Sequence, residues 1–203
     1  GYRALKAITT GASNVAIGAS SGTGGTTAGG NVSIGPDTLK TNTTGNYNVA
    51  VGLDALKVAT TASSNVAVGG YALTSNTTGE NNVALGITAL DSISIGDGNT
   101  AIGASADVGS GDLTNATAIG NGAIVTASNT MQLGNTSVTN VKTSGSVTVG
   151  AITIPNTDGS TGQLLATDGS GQLYWLTLVP LTEAQASAIT ANTAKTGITS
   201  GQA

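Results

Sequence analysis

The chain contains no cysteine, no histidine and no phenylalanine, and only one tryptophan and four tyrosines. Without cysteine there are no disulfides and no thiolate metal sites. Without histidine there is no His general base, which removes the Ser–His and Cys–His hydrolase chemistries. Five aromatics in 203 residues leave few of the large side chains that fill an ordinary globular core. Charged residues amount to 8%, too few to keep a disordered chain solvated. Six Lys and Arg stand against ten Asp and Glu, a net charge of −4, and no basic patch is present. Nucleic acid is therefore not expected as a partner. No stretch approaches the roughly 18 apolar residues of a membrane span, so no membrane insertion of this segment is expected. No signal peptide is visible, and residue 1 already lies in the repeat register, as if the chain were a fragment or a processed product.

What is abundant is repetition. Asn-Val-Ala-Ile/Val-Gly stands at 14–18, 48–52 and 65–69, with close variants at 31–35, 82–86 and 99–103. The asparagines Asn14, Asn31, Asn48, Asn65, Asn82 and Asn99 keep a constant step of 17 residues. The glycines Gly18, Gly35, Gly52, Gly69, Gly86, Gly103 and Gly120 keep the same step. A fixed period over most of a chain marks a solenoid, in which each unit buries its apolar side chains only by stacking on its neighbours.

Three further features recur in register. Ala-Leu or Thr-Leu pairs start a second stretch, Thr-Thr pairs follow, and a Gly or Ala comes after each Thr pair. The expected coil has two short strands. In Val-Ala-Val the two valines share one face and the alanine takes the other. The reading puts the Val and Ile side chains inward, turns the chain at the glycines, and uses the Asn row to tie one rung to the next. Parallel rungs ~4.8 Å apart would give a shaft of roughly 35–40 Å. Asp37 with Lys40, and Asp54 with Lys57, are expected as surface ion pairs that offset the like charges one rung apart. Recognition would have to reside where copies differ, as at the position shared by Arg3, Asp37, Asp54 and Tyr71.

Three regions follow: a β-roll repeat shaft over 1–134, a β-rich neck or plug over 135–181, and a short helix and tail over 182–203. In the neck, 138–143 and 146–149 alternate like strands, with turn signals at 156–159 and 168–171. Residues 163–167 are expected to pair with 172–176 as a hairpin beside the single tryptophan. Thr182 and Gln185 fit a capping box, and Gly197 fits a helix stop.

The chemistry of single residues is sparse. Asp107 and Asp112 are the candidate pair for glycoside hydrolysis, but they lie among Gly and Ser with no aromatic to stack a sugar. The chain therefore reads as no enzyme, with no catalytic residue. Asp97-Gly98-Asn99 resembles a fragment of a calcium loop, yet the other ligand positions are missing and a turn is the simpler reading. No metal and no cofactor are expected. The Thr-Thr array raises an ice-binding solenoid as a minor alternative.

The repeated Asn-Val-Ala-Val-Gly-x-x-Ala-Leu over 1–134 resembles the head repeats of YadA-type trimeric autotransporter adhesins and related repeats in bacteriophage tail fibres. The resemblance implies an all-β, left-handed parallel β-roll that associates as a homotrimer. Residues 132–145, 162–171 and 188–195 are similar to segments of phage tail fibres. There a segment of the last kind often precedes a chaperone domain cleaved after trimerisation. The function implied is host-surface attachment by a virion tail fibre, with a cell-surface glycan or protein as partner. A bacterial surface adhesin and a structural extracellular filament remain the alternatives.

Overall fold

The computed structural model describes residues 1–144, two strands at 163–167 and 173–177, and helical residues at 183–185, 187, 188 and 191. The chain divides into two compact units, Gly1–Lys142 and Thr143–Ala203.

The first unit is a β-solenoid. Its strands are β1 (Val15–Ile17), β2 (Val32–Ile34), β3 (Val49–Val51), β4 (Val66–Val68), β5 (Val83–Leu85), β6 (Thr100–Ile102), β7 (Asp107–Val108), β8 (Thr117–Ile119), β9 (Ile124–Val125) and β10 (Met131–Leu133). One eight-stranded parallel sheet runs β1-β2-β3-β4-β5-β6-β8-β10. The register follows the sequence period: Val49 pairs with Val66, and Val66 with Val83. The last step is shorter, Met131 pairing with Thr117. Each coil is named here by its opening glycine, coil 1 from Gly1, coil 2 from Gly18, and so on.

The second side of the coil differs from expectation. In the regular coils it is a series of turns, not a strand. Two positions there hold non-glycine residues at positive φ: Asp37, Asp54, Tyr71 and Thr88 at one, Leu39, Leu56, Leu73 and Leu90 at the other. The cause is cross-rung hydrogen bonding. Tyr71 N–H donates to Leu53 O at 2.8 Å and Leu73 N–H donates to Ala89 O at 3.0 Å, so both rungs are tied while the backbone curls. A second parallel ladder, β7 with β9, forms only in the irregular last coils.

The inward face is also a correction. The middle residue of each strand points in: Ala50, Ala67, Ala84, Ala101 and Ala118 are fully buried. The flanking Val and Ile point out. A coil closed by stacked glycines is narrow, and the space opposite the strand is taken by Leu39, Leu56, Leu73 and Leu90, all buried. Only alanine or Ser33 fits between them. The core is thus a thin column of Ala and Leu with the Asn row along one edge.

Coil 2 is the underpacked one. Gly22 stands where neighbouring coils have Leu, and a cavity of about 10 Å³ opens between Leu5, Ile8, Gly22, Gly25, Leu39 and Asn42. Gly25 is buried, and a Cβ there would meet Ala28 Cβ at 3.5 Å and Ile8 Cγ1 at 3.6 Å, ordinary contacts. Ala59 occupies the matching position in coil 4. Gly25→Ala is therefore expected to stabilise by about 1 kcal/mol, through lost unfolded-state entropy and added burial. Chemical denaturation of the two chains checks it; a lower midpoint in the variant would refute the packing argument.

In the second unit, β11 (Gln163–Thr167) and β12 (Leu173–Thr177) pair antiparallel, Gln163 opposite Thr177. The expected hairpin forms, with its second strand one residue later. The expected strand over 138–143 does not form: those residues are irregular and exposed. The second neck strand at 146–149, the turns at 156–159 and 168–171, and the side chains around Trp175 lie outside the described residues. Helical residues at 183–185, 187, 188 and 191 agree with a helix there. Thr182 and Gly197, the cap and stop, lie outside the described residues.

Candidate functional site

The repeated residues are scaffold. Each ladder asparagine is bonded in one pattern. Asn65 Oδ1 accepts Asn82 N–H at 2.9 Å, and its Nδ2 donates to Gly79 O at 2.9 Å. Asn14, Asn31, Asn48, Asn82 and Asn99 repeat this, and the row ends where Ala116 N–H donates to Asn99 Oδ1. Asn48, Asn65, Asn82 and Asn99 are completely buried. They cannot touch a ligand. The glycine row, Gly18 to Gly120, is equally spoken for, since each member stacks on the next glycine's peptide.

The threonine pairs divide their work. Thr26, Thr43, Thr60 and Thr77 each donate a hydroxyl to the carbonyl of the next coil, at 2.9–3.2 Å. Their partners Thr27, Thr44, Thr61 and Thr78 are exposed. One threonine of each pair is therefore a third ladder, a role that the doublet itself does not announce.

The largest unsatisfied feature is the outer sheet face. Val15, Ile17, Ile34, Val83, Leu85, Ile102, Met131 and Leu133 are exposed, and Val32, Val49, Val51, Val66, Val68 and Ile119 are half-buried on the same face. Thr100 and Thr117 complete the column of Val83, and the exposed Leu53 and Ile87 follow the glycine turn. The columns run the height of eight strands, roughly 34 Å. No charge interrupts either one. Apart from Thr100 and Thr117 the strip is apolar, and an exposed apolar patch of that length makes this face the candidate interaction surface.

The variable corner is partly occupied by local pairing, as the charge pattern suggests. Asp37 meets Lys40 at 3.2 Å and Asp54 meets Lys57 at 2.8 Å. The hydrogen bond to Asp54 is the main cause that raises the Lys57 pKa above its ordinary value. Arg3 lies over the Tyr2 ring, 5.1 Å from its centre. Tyr71 is exposed.

The carboxylates rearrange. Asp107 does not face Asp112; Ser110 hydroxyl bonds Asp112. Asp107 is instead a neighbour of Asp91, whose carboxyl is pushed up to about 6, first by desolvation and then by its interaction with Asp107. Asp91 is invisible in the sequence because the irregular coil after Gly103 brings together residues of different coil positions. Asp97 Oδ1 accepts Glu80 N–H at 2.7 Å in a turn. Among the described residues no group of three or more His, Cys, Asp or Glu could hold a metal. No helix among them is long and apolar enough to cross a membrane.

Asp91 supplies a pH test. A carboxyl whose folded pKa is raised from 3.8 to about 6 favours the fold when protonated. Its contribution is fully present below the unfolded value and is lost as pH rises through the folded one. Asp91→Asn should therefore melt like the parent near pH 4 and above it near pH 7, with the gap opening across pH 4–6.5 in a series of thermal melts. A gap that stays constant with pH would refute the pairing.

No protein-family model matches the chain, and neither does any curated protein or solved structure.

Proposed function

We propose that the chain is a non-catalytic segment of an extracellular fibre, in which three copies join their outer sheet faces into a shaft and present their corners for adhesion. The observation that carries this is the apolar strip. The interior is already filled by Ala and Leu, and the outward Val, Ile and Leu stay exposed or half-buried in the single chain. Burying two such columns per copy takes apolar surface out of water, which favours association by ~25 cal/mol per Å². Three-fold closure about the strip accounts for a face with no charge along its length. A left-handed roll and a homotrimer are the arrangement implied by the resemblance to YadA-type adhesin heads, and attachment to a host surface as part of a virion tail fibre is implied by the resemblance to tail fibres. The surface partner is a cell-surface glycan or protein.

Light scattering tests the assembly. The expected mass is three times 19.4 kDa. A clean monomer would sink the reading, and so would open-ended polymers in electron micrographs, which would favour a filament subunit. Val66→Asp, at the centre of the strip, is expected to release monomers that keep the β circular-dichroism signal. Val66 is only half-buried in the single chain, so its own coil tolerates the change.

A further inference from the structure

Tyr47 is placed where the fold gains nothing from a tyrosine. Its φ is +58°, in the left-handed region that suits Gly or Asn. The same corner holds Gly30, Ser64, Asn81 and Gly98 in neighbouring coils, residues common in tight turns. The residue is 72% exposed, so burial does not repay the backbone cost. Tyr47 nonetheless has a seat. A Cβ on Gly30, one coil earlier, would fall 2.7 Å from Tyr47 Cδ1 and 2.9 Å from Cε1. The ring therefore lies across the space that a side chain at position 30 would fill, resting on backbone with its remaining surface open to water.

Asn46 stands beside it and is held just as firmly. Its Oδ1 accepts Gly29 N–H at 2.8 Å and its Nδ2 donates to Thr44 O at 2.9 Å. Those two bonds leave the amide a second N–H and a second lone pair, both chemically suited to a hydroxyl. The left-handed backbone belongs to the scaffold, since Tyr47 N–H donates to Gly29 O at 3.1 Å as its equivalents do; what sets Tyr47 apart is an exposed aromatic ring in a fixed seat.

We propose that Tyr47 and Asn46 form a stacking subsite for a neutral sugar ring. The C–H face of a pyranose lies on the open face of the tyrosine, and ring hydroxyls meet the Asn46 amide. An aromatic face with a polar handle beside it recognises a solute that is apolar on one face and hydroxylated at its edge. Neutrality follows from the surroundings. In the two corner positions concerned, the first four coils carry only Ala, Gly, Ser, Asn and Tyr47 itself. The first charge in either row is Glu80, two coils on and roughly 10 Å away. A charged sugar finds no counter-ion there. The proposal rests on the adhesive reading above and gives that reading a ligand class. In a multi-copy fibre each copy contributes one subsite, so weak contacts act together.

The test uses the full chain against immobilised maltohexaose, mannohexaose and hexameric N-acetylglucosamine, with oligogalacturonate as the charged control. The parent is expected to bind at least one neutral oligosaccharide and not the charged one. Tyr47→Ser, which installs the residue of the next coil, should weaken that binding roughly tenfold, while Tyr47→Phe stays within about threefold. The thermal midpoint of Tyr47→Ser should not fall, which separates lost binding from lost fold. Failure to bind any neutral oligosaccharide, or unchanged binding by Tyr47→Ser, overturns the subsite. Adhesion of the same preparations to whole bacterial cells separates the two readings. Cell adhesion that Tyr47→Ser leaves intact overturns the subsite alone. Sugar binding without adhesion to any cell overturns the adhesive reading and leaves the subsite standing.

Discussion

Gly69→Ala is expected to lower stability by at least about 3 kcal/mol, or to prevent the middle coils from closing. Two causes act together. The φ of Gly69 is +139°, a region that side chains of L-residues rarely enter. A Cβ there would also fall 2.2 Å from Gly86 O and 2.5 Å from Gly86 C. Both are backbone atoms of the next rung, so no rotamer change relieves the clash. The coil would have to lift from its neighbour, and Gly69 N–H, which donates to Val51 O at 2.8 Å, would be pulled from the rung above. Gly70 is the internal control. A Cβ on it meets nothing closer than Leu53 O at 3.9 Å, and its φ is not positive. Gly70→Ala should change stability by less than about 1 kcal/mol. Equal losses at the two adjacent glycines would refute the stacking account.

Asn65→Ala should cost about 2–4 kcal/mol. Asn65 is completely buried, and its Oδ1 is the acceptor of Asn82 N–H at 2.9 Å. Truncation leaves that backbone N–H inside the coil without its partner. Gly79 O suffers less, because Asn76 Nδ2 also donates to it at 2.9 Å. The loss should depend on position along the row. Asn14 is only part-buried, so water can replace its bonds and Asn14→Ala should cost well under half as much. Asn65→Asp is a sharper version. It keeps the acceptor for Asn82 N–H but turns a second oxygen toward Gly79 O and Asn48 Oδ1, at 2.9 and 3.2 Å from the present nitrogen. The carboxyl would fit only when protonated, so this variant should regain stability on acidification. Urea titrations at two pH values check both statements. An equal effect at Asn14 and Asn65 would show that the row is not a buried ladder.

The wide gap between these effects and the mild ones expected at Gly25 and Gly70 has one source. In a stack, a ladder position touches its equivalents above and below, so an error at one rung is felt at two others. At Gly25 and Gly70 the equivalents above and below stand at ordinary contact distance or beyond, so an added Cβ displaces neither.

Much of this was legible beforehand. The 17-residue step of Asn and Gly already implies parallel rungs in strict register, and the observed pairing Val49 to Val66 to Val83 follows it. The ion pairs Asp37–Lys40 and Asp54–Lys57 follow from charges three residues apart on neighbouring coils. The hairpin in 163–177 was legible from two alternating runs around a turn. Period two also shows that Val49 and Val51 share a face. It cannot say which face is the inside, because alternation has no sign. Only the closed coil decides that. Its glycines stack at backbone contact, Leu56 and Leu73 fill the far side, and the remaining width admits Ala50 and Ala67 but no valine. The left-handed corners at Leu56 and Tyr71 were hidden for a similar reason: neither residue type prefers that conformation, and the hydrogen bonds of adjacent rungs impose it. The meeting of Asp91 with Asp107, and the Gly30 seat beneath Tyr47, depend on how one coil lies over another. Repetition along the chain thus determines the ladder, while distances across the coil decide what faces inward, what is left exposed, and so where a partner can bind.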